Sequence, residues 1–268
     1  LLLLVTMAAL LVAVAAGVAA WQTHRFMATP VSLTGEGALF EISAGSSFAA
    51  VTGKLVDAGI IRDDFWFRLH ARLTGDASGI QAGEYFIEAG ATPRTLLEQF
   101  TRGAVHLHSF TIVEGWNQRE LLQALQAHEA IVSSMTDEDW PVLLEELGAP
   151  VAHPEGLFLP ETYRFPRDTT DRKLLGQAFA LMQKVLDEEW RGRDEDAPVD
   201  TPYEALILAS IVEKETARAD ERERIAGVFA RRLEKNMRLQ TDPTVIYGIG
   251  PDFDGNLTRR HLQTDTPY

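Results

Sequence analysis

No cysteine occurs anywhere in the 268 residues, which excludes disulfides, thiolate nucleophiles and cysteine-ligated zinc. That absence leaves the compartment open. Basic residues are scarce as well: 25 Lys and Arg stand against 39 Asp and Glu, a formal net charge of −14, and no long basic run occurs. Such a chain lacks the phosphate-neutralising surface that nucleic acid requires, so no nucleic-acid partner is expected. The Gly-x-Ser-x-Gly elbow of serine hydrolases is missing too. Gly248-Ile249-Gly250 is followed by neither Lys-Ser/Thr nor a later Gly at the spacing of a nucleotide loop. His106 and His108 alternate along an expected strand without an acidic partner at ligand spacing, so no metal is expected, and nothing in the chain asks for a cofactor.

Apolar residues, by contrast, make up 46% of the chain, enough for a sizeable core. One run stands out. Residues 1–20, LLLLVTMAALLVAVAAGVAA, carry no charge. Twenty helical residues at about 1.5 Å each span about 30 Å, the hydrocarbon thickness of a bilayer. Trp21 occupies an interfacial position ahead of Gln22, Thr23, His24 and Arg25. We expect a transmembrane anchor over 1–21 and a linker over 22–38. The same composition suits a buried core helix, and Ala13-Val14-Ala15 with the run to Ala20 suits a cleavable signal peptide. The chain opens on Leu1 and stops at Tyr268 with no terminating helix or polar tail. It reads as a fragment at both ends, with a basic segment expected ahead of Leu1.

Residues 39–105 predict a small α+β module. A strand at Phe40 and Ile42 leads through Ala44-Gly45-Ser46 into a helix capped by Ser46 or Ser47, with Phe48, Val51, Leu55 and Val56 as its apolar stripe and Gly59 at its end. A second helix over 63–73 carries Phe65, Trp66 and Leu69; a strand over 83–87 and a helix from Thr92-Pro93 to Gly103 follow. Nothing catalytic is in view there, and binding is its natural role. From 106 onwards a larger, mostly helical region begins. Asn117 and Glu120 make a capping box for a helix to about His128, and Thr170 caps a long helix faced by Leu174, Ala178, Leu181, Val185 and Leu186. Residues 205–216, ALILASIVEKET, form a helix apolar almost all round, a pattern that a folded domain buries.

Two stretches could carry chemistry. Glu213 and Glu215 close the apolar helix but project about 160° apart, so they do not form a catalytic pair with each other. Either one emerging among apolar residues would resist ionising, as a general acid must. Pairing with Lys214, Arg218 or Arg222 as the helix reaches solvent accounts for the same residues, and spacing does not choose between the two glutamates. The second stretch is LQTDPTVIYGIG at 239–250. Gln240, Thr241 and Asp242 form a polar turn stiffened by Pro243, and Tyr247 lies beside Gly248 and Gly250, which let a ligand approach the backbone. Amide, hydroxyl, carboxylate and phenol together suit sugar hydroxyls and acetamido groups; an ordinary loop-to-strand turn has the same composition.

Four blocks carry a resemblance. EGLFLPETY at 155–163, ASIVEKET at 209–216, LQTDPTVIYG at 239–248, and LTR at 257–259 with the terminal DTPY resemble, in order and spacing, the endolytic murein transglycosylases of the YceG-like family. The likeness runs from about residue 38 to the end. It implies a bacterial inner-membrane protein with one N-terminal anchor, its bulk in the periplasm, a LysM-like subdomain at 39–105 and a catalytic domain at 106–268 continuing beyond Tyr268. In the family the second glutamate of Glu-Lys-Glu-Thr is catalytic, which here is Glu215; Glu213 would then support it. Gln240, Thr241, Asp242 and Tyr247 are similar to family residues around the cleft. Arg231 stands where the family commonly has Asn. The implied reaction cleaves the MurNAc-β-1,4-GlcNAc bond of peptidoglycan strands to leave 1,6-anhydro ends, which ends strand growth and implies peptidoglycan synthases as partners. A hydrolase of the same bond, using Asp242 or Glu161 to activate water, and a non-catalytic, membrane-tethered peptidoglycan-binding protein are the alternatives.

Overall fold

The computed structural model describes residues 2–266, and the chain divides into two compact units, 1–108 with 164–167 and 109–163 with 168–268. The architecture is α+β and mostly helical.

The first unit opens with helix α1 (Leu2–Ala28), long and apolar enough to cross a membrane. The helix does not stop at Trp21. Thr23, Phe26 and Met27 recur at helical spacing, and Met27 is fully buried with Phe26 packed beside it in the core of this unit. The start of the expected linker is therefore helical, because its apolar stripe has a core to enter. Strands β1 (Gly37–Ile42) and β2 (Gly83–Glu88) pair antiparallel from Gly37↔Glu88 to Ile42↔Gly83. Between them lie α2 (Phe48–Asp57) and α3 (Phe65–Thr74), and α4 (Pro93–Arg102) follows β2. Local chemistry sets each boundary. The Ser47 hydroxyl accepts from Ala50 N at 3.2 Å, Thr92 as N-cap and Thr95 form a capping box across Pro93, and Gly103 ends α4 at φ 65°, a conformation that favours glycine. In α3 the buried residues are Phe67 and Ala71, while Phe65 is 57% exposed. The ring of Phe67 turns inward, packed between Phe26 and Phe48.

Strands β3 (Leu107–Thr111) and β5 (Thr162–Pro166) form a second two-stranded sheet, and the short β4 (Ile131–Val132) and β6 (Thr169–Thr170) pair in parallel. The second unit holds α5 (Gln118–Ala127), α6 (Trp140–Glu146) and α7 (Asp171–Arg191), with α8 (Pro202–Glu215), α9 (Ala219–Glu234), α10 (Asp242–Ile249) and α11 (Arg259–Gln263) following. The Asn117–Glu120 capping box and the Thr170 cap are both present.

One carboxylate organises the start of α7. Asp171, with no exposed surface, accepts from the backbone N–H groups of Ser134, Met135 and Arg172 at 2.6–2.8 Å and from the hydroxyls of Ser133 and Ser134 at 3.2–3.3 Å. Removing it would leave the buried Met135 N–H and several part-buried donors unpaired, a buried one at about 1–3 kcal/mol. Asp171→Ala should therefore lower stability by about 3 kcal/mol or more, read as a fall in the urea midpoint.

The phenol of Tyr163, 8% exposed, donates to Leu159 O at 2.7 Å. Burial, helped by nearby Glu161, pushes it up from 10.0 to about 12. Folding thus favours the neutral phenol; its contribution is complete below pH 10 and is lost as pH rises through about 12. Titration followed by phenolate absorbance should show a tyrosine ionising near pH 12 that Tyr163→Phe removes. The urea midpoint of that variant should also fall less than wild type between pH 10 and 12.

Candidate active site

The two glutamates that spacing left equivalent are separated by their surroundings. The carboxylate of Glu213 pairs with Arg222 of α9 at 3.0 Å, one of the cations that the sequence offered it. Glu215, the last residue of α8, takes part in no ion pair among the described residues and accepts a hydrogen bond from the Thr241 hydroxyl at 3.1 Å. Thr241 is buried, 5% exposed, and is the N-cap residue of α10. Its hydroxyl does not cap that helix, as most N-cap threonines do, because it is directed to Glu215. The turn beyond α8 is held separately: the Thr216 hydroxyl donates to Glu221 and accepts from Arg218 N.

Two expectations are corrected here. The helix over 202–215 is not buried all round: only Ile211 and Val212 are buried, Ile207 is 45% exposed, and Glu215 is exposed. Among the described residues α8 packs against α7, α9 and α10, and its Leu206 side chain lies against Gly156. The stretch after Gln240 is a helix, not a turn running into a strand. Thr241 as N-cap, acidic Asp242 first in the helix and Pro243 behind it together favour helix initiation. Tyr247 and Gly248 consequently lie on α10. The glycine does not open a path to the backbone: a Cβ there would meet the Thr266 hydroxyl at 2.9 Å. Gln240 is exposed in the left-handed region at φ 52°, and the Arg232 guanidinium donates to the carbonyl of neighbouring Leu239, which fixes the approach to α10. Asp242 is exposed.

The structure adds a residue that no local pattern singled out. Glu155 accepts from the Tyr247 phenol at 2.7 Å with one oxygen and from Gln118 N at 3.0 Å with the other. His153 holds Glu155 N through its Nδ1, and its ring lies edge-on to Tyr247. Gly156, at φ 75°, turns the chain directly after Glu155. The partners of Glu155 are 37 and 92 residues away in sequence, so no local pattern reveals it. Of the expected residues, Glu215 and Thr241 are in direct contact, Tyr247 is held on the same helix as Thr241 by Glu155, and Glu213 is turned to Arg222. Glu161 bonds its own chain neighbour, Thr162 N, at 2.7 Å. A hollow of about 240 Å³ beside Arg119, Leu122 and Thr136 does not include Glu215, which stands on open surface.

Glu215 at the end of α8 thus meets the N-cap hydroxyl of α10, and the phenol of Tyr247 on that helix is bound to Glu155. The chain belongs to the YceG-like family, whose model matches residues 40–268. It is 28% identical over 244 residues to an endolytic murein transglycosylase of Bacillus subtilis, covering 85% of this chain and 67% of that protein. It is likewise 28% identical over 240 residues to an endolytic murein transglycosylase of Streptococcus pneumoniae, covering 78% of this chain and 42% of that one. The chain thus spans about two thirds of one relative's length and less than half of the other's. A crystal structure of a yceG-like protein from Listeria monocytogenes aligns with TM-score 0.48 at 24% identity, over 87% of this chain and 81% of that one.

The hydrogen bond between Tyr247 and Glu155 joins a phenol to a carboxylate, a class contributing about 1.5–3 kcal/mol. A double-mutant cycle of Tyr247→Phe and Glu155→Ala, read by urea unfolding, should give a coupling of about 1.5 kcal/mol; a coupling near zero would mean that the pair does not hold α10.

Proposed function

We propose that this chain cleaves peptidoglycan as an endolytic lytic transglycosylase, with Glu215 as its single acid/base. Family membership supports the substrate class. The observation carrying the residue assignment is that Glu215 is held by a neutral hydroxyl while Glu213 is engaged by an arginine.

Glu215 in its protonated form gives its proton to the glycosidic oxygen as the bond from C1 of N-acetylmuramic acid breaks, releasing the 4-hydroxyl of N-acetylglucosamine. Positive charge builds at C1 and is eased by the substrate's acetamido group or by Asp242. The Glu215 carboxylate then takes the proton of the sugar's own 6-hydroxyl as that oxygen bonds to C1. The 1,6-anhydro ring closes, no water is consumed, and Glu215 is protonated again. Thr241 orients the carboxylate throughout. On this reading Tyr247 and Gln240 meet sugar hydroxyls, and a strand laid across the exposed Glu215 would itself exclude water.

Helix α1 is read as a single-pass anchor with the remainder in the periplasm, and the module at 39–105 as a LysM-like glycan-binding element. Synthases that extend the strands are the partners this role implies.

Purified glycan strands digested with wild type should yield new anhydro ends, identified by mass spectrometry. Glu215→Gln should lower the rate by at least about a hundredfold, while Glu213→Gln keeps most activity. Free reducing ends would instead identify a hydrolase, and strands bound but uncut would identify a binding protein.

A further inference from the structure

His106 and His108, which lack an acidic partner in sequence, have a carboxylate beside them in space. Glu84 of β2 lies 24 residues from His108, yet its Oε2 is 2.6 Å from His108 Nε2. His106 N donates to Glu84 O at 2.6 Å, so the segment 106–108 runs alongside β2. At i and i+2 of an extended segment, the two imidazoles project to one face, with ring centroids 5.0 Å apart. One ligand atom from each of Glu84, His106 and His108 lies within 4.8 Å of the other two. The site is shielded: the side chains of Glu84 and His108 are 8% and 13% exposed, and the rings of Phe86 and Phe165 flank His106 and His108.

We propose that Glu84, His106 and His108 form a zinc site, completed by water as fourth ligand, with Arg167 as the outer partner of the carboxylate. Two imidazoles and one carboxylate are a donor set that suits zinc, whereas calcium and magnesium prefer oxygen throughout. The carboxylate is divided between its partners: Oε1 takes Arg167 Nε at 2.8 Å, which leaves Oε2 directed at the imidazole. Without metal, Oε2 and Nε2 make a hydrogen-bond contact of 2.6 Å; zinc bonds of about 2.0–2.1 Å in a tetrahedron set ligand atoms about 3.3 Å apart, so the pair would open by about 0.7 Å. Holding the carboxylate by its other oxygen is how outer partners orient a ligand. The ion would tie β2 to the segment entering β3 and stabilise the first unit by its binding free energy.

The full chain, solubilised in detergent and stripped with chelator, would be titrated with cobalt(II). Wild type should take up one equivalent with the visible bands of a four-coordinate site, zinc should bleach them, and zinc should raise the melting temperature. His106→Ala leaves the Glu84–His108–Arg167 contacts in place, so it should remain folded while weakening binding at least about a hundredfold, beyond what loss of an outer partner costs. His108→Ala should do the same, and His70→Ala, on α3, should bind as wild type. Failure of wild type to take up either metal, or binding unchanged in both His106→Ala and His108→Ala, would reduce the cluster to an ion-pair network. The readout is metal uptake, so it is independent of whether Glu215 cleaves glycan.

Discussion

The half-buried carboxylate of Glu155 is the contact on which the arrangement around Glu215 depends. One oxygen is fixed by the backbone amide that opens α5 and the other by the phenol of Tyr247 on α10. The first bond places a negative charge at a helix N-terminus, where the dipole favours it; the second fastens α10 to the loop that carries Glu155. Because α10 begins at Thr241, fastening that helix also fixes the hydroxyl that meets Glu215. Three stretches far apart in sequence are thereby brought to one locus by a residue that touches Glu215 only through intermediates.

The same device recurs at Asp171, whose carboxylate collects amides and hydroxyls from 133–135 and from the first residues of its own helix. In a chain with an excess of acids, several carboxylates serve as fasteners for donors that lie far away in sequence. Glu213 is taken up by Arg222 and Glu221 by Thr216 and Arg218. At the end of α8 this leaves one carboxylate, Glu215, with a neutral partner. Its distinction from Glu213 is a matter of what each side chain meets, not of its place on the helix.

That distinction explains which features were legible in the sequence. The caps at Ser47, Thr92, Asn117 and Thr170 act over three residues, and all four are present where the sequence puts them. The helix of α10 was equally local, but Thr241, Asp242 and Pro243 suit a turn as well as a helix start, and the two glycines favoured the turn. The exposure of α8 was illegible for another reason: periodicity reports how apolar a face is, not how many neighbours reach it. Glu155, and the meeting of Glu84 with His108, depend on residues 24 to 92 positions apart. No pattern of local period carries that information; in Glu155's case the family resemblance marked the block without giving the residue a role.

An exposed acid/base at a helix end constrains how the proposed reaction proceeds. Electrostatic stabilisation is strongest where water is excluded, and among the described residues none encloses Glu215. Long glycan strands differ from small substrates in this respect, since sugar rings on both sides of the cut bond can cover the carboxylate once the strand is laid down. Binding energy from the distant sugars then enters the barrier at the reacting centre, as it does whenever remote contacts assemble a site. A reaction that uses the sugar's own 6-hydroxyl as nucleophile fits such a site well: no water needs to be admitted or positioned, and the only group that the protein must aim is the carboxylate that Thr241 already holds.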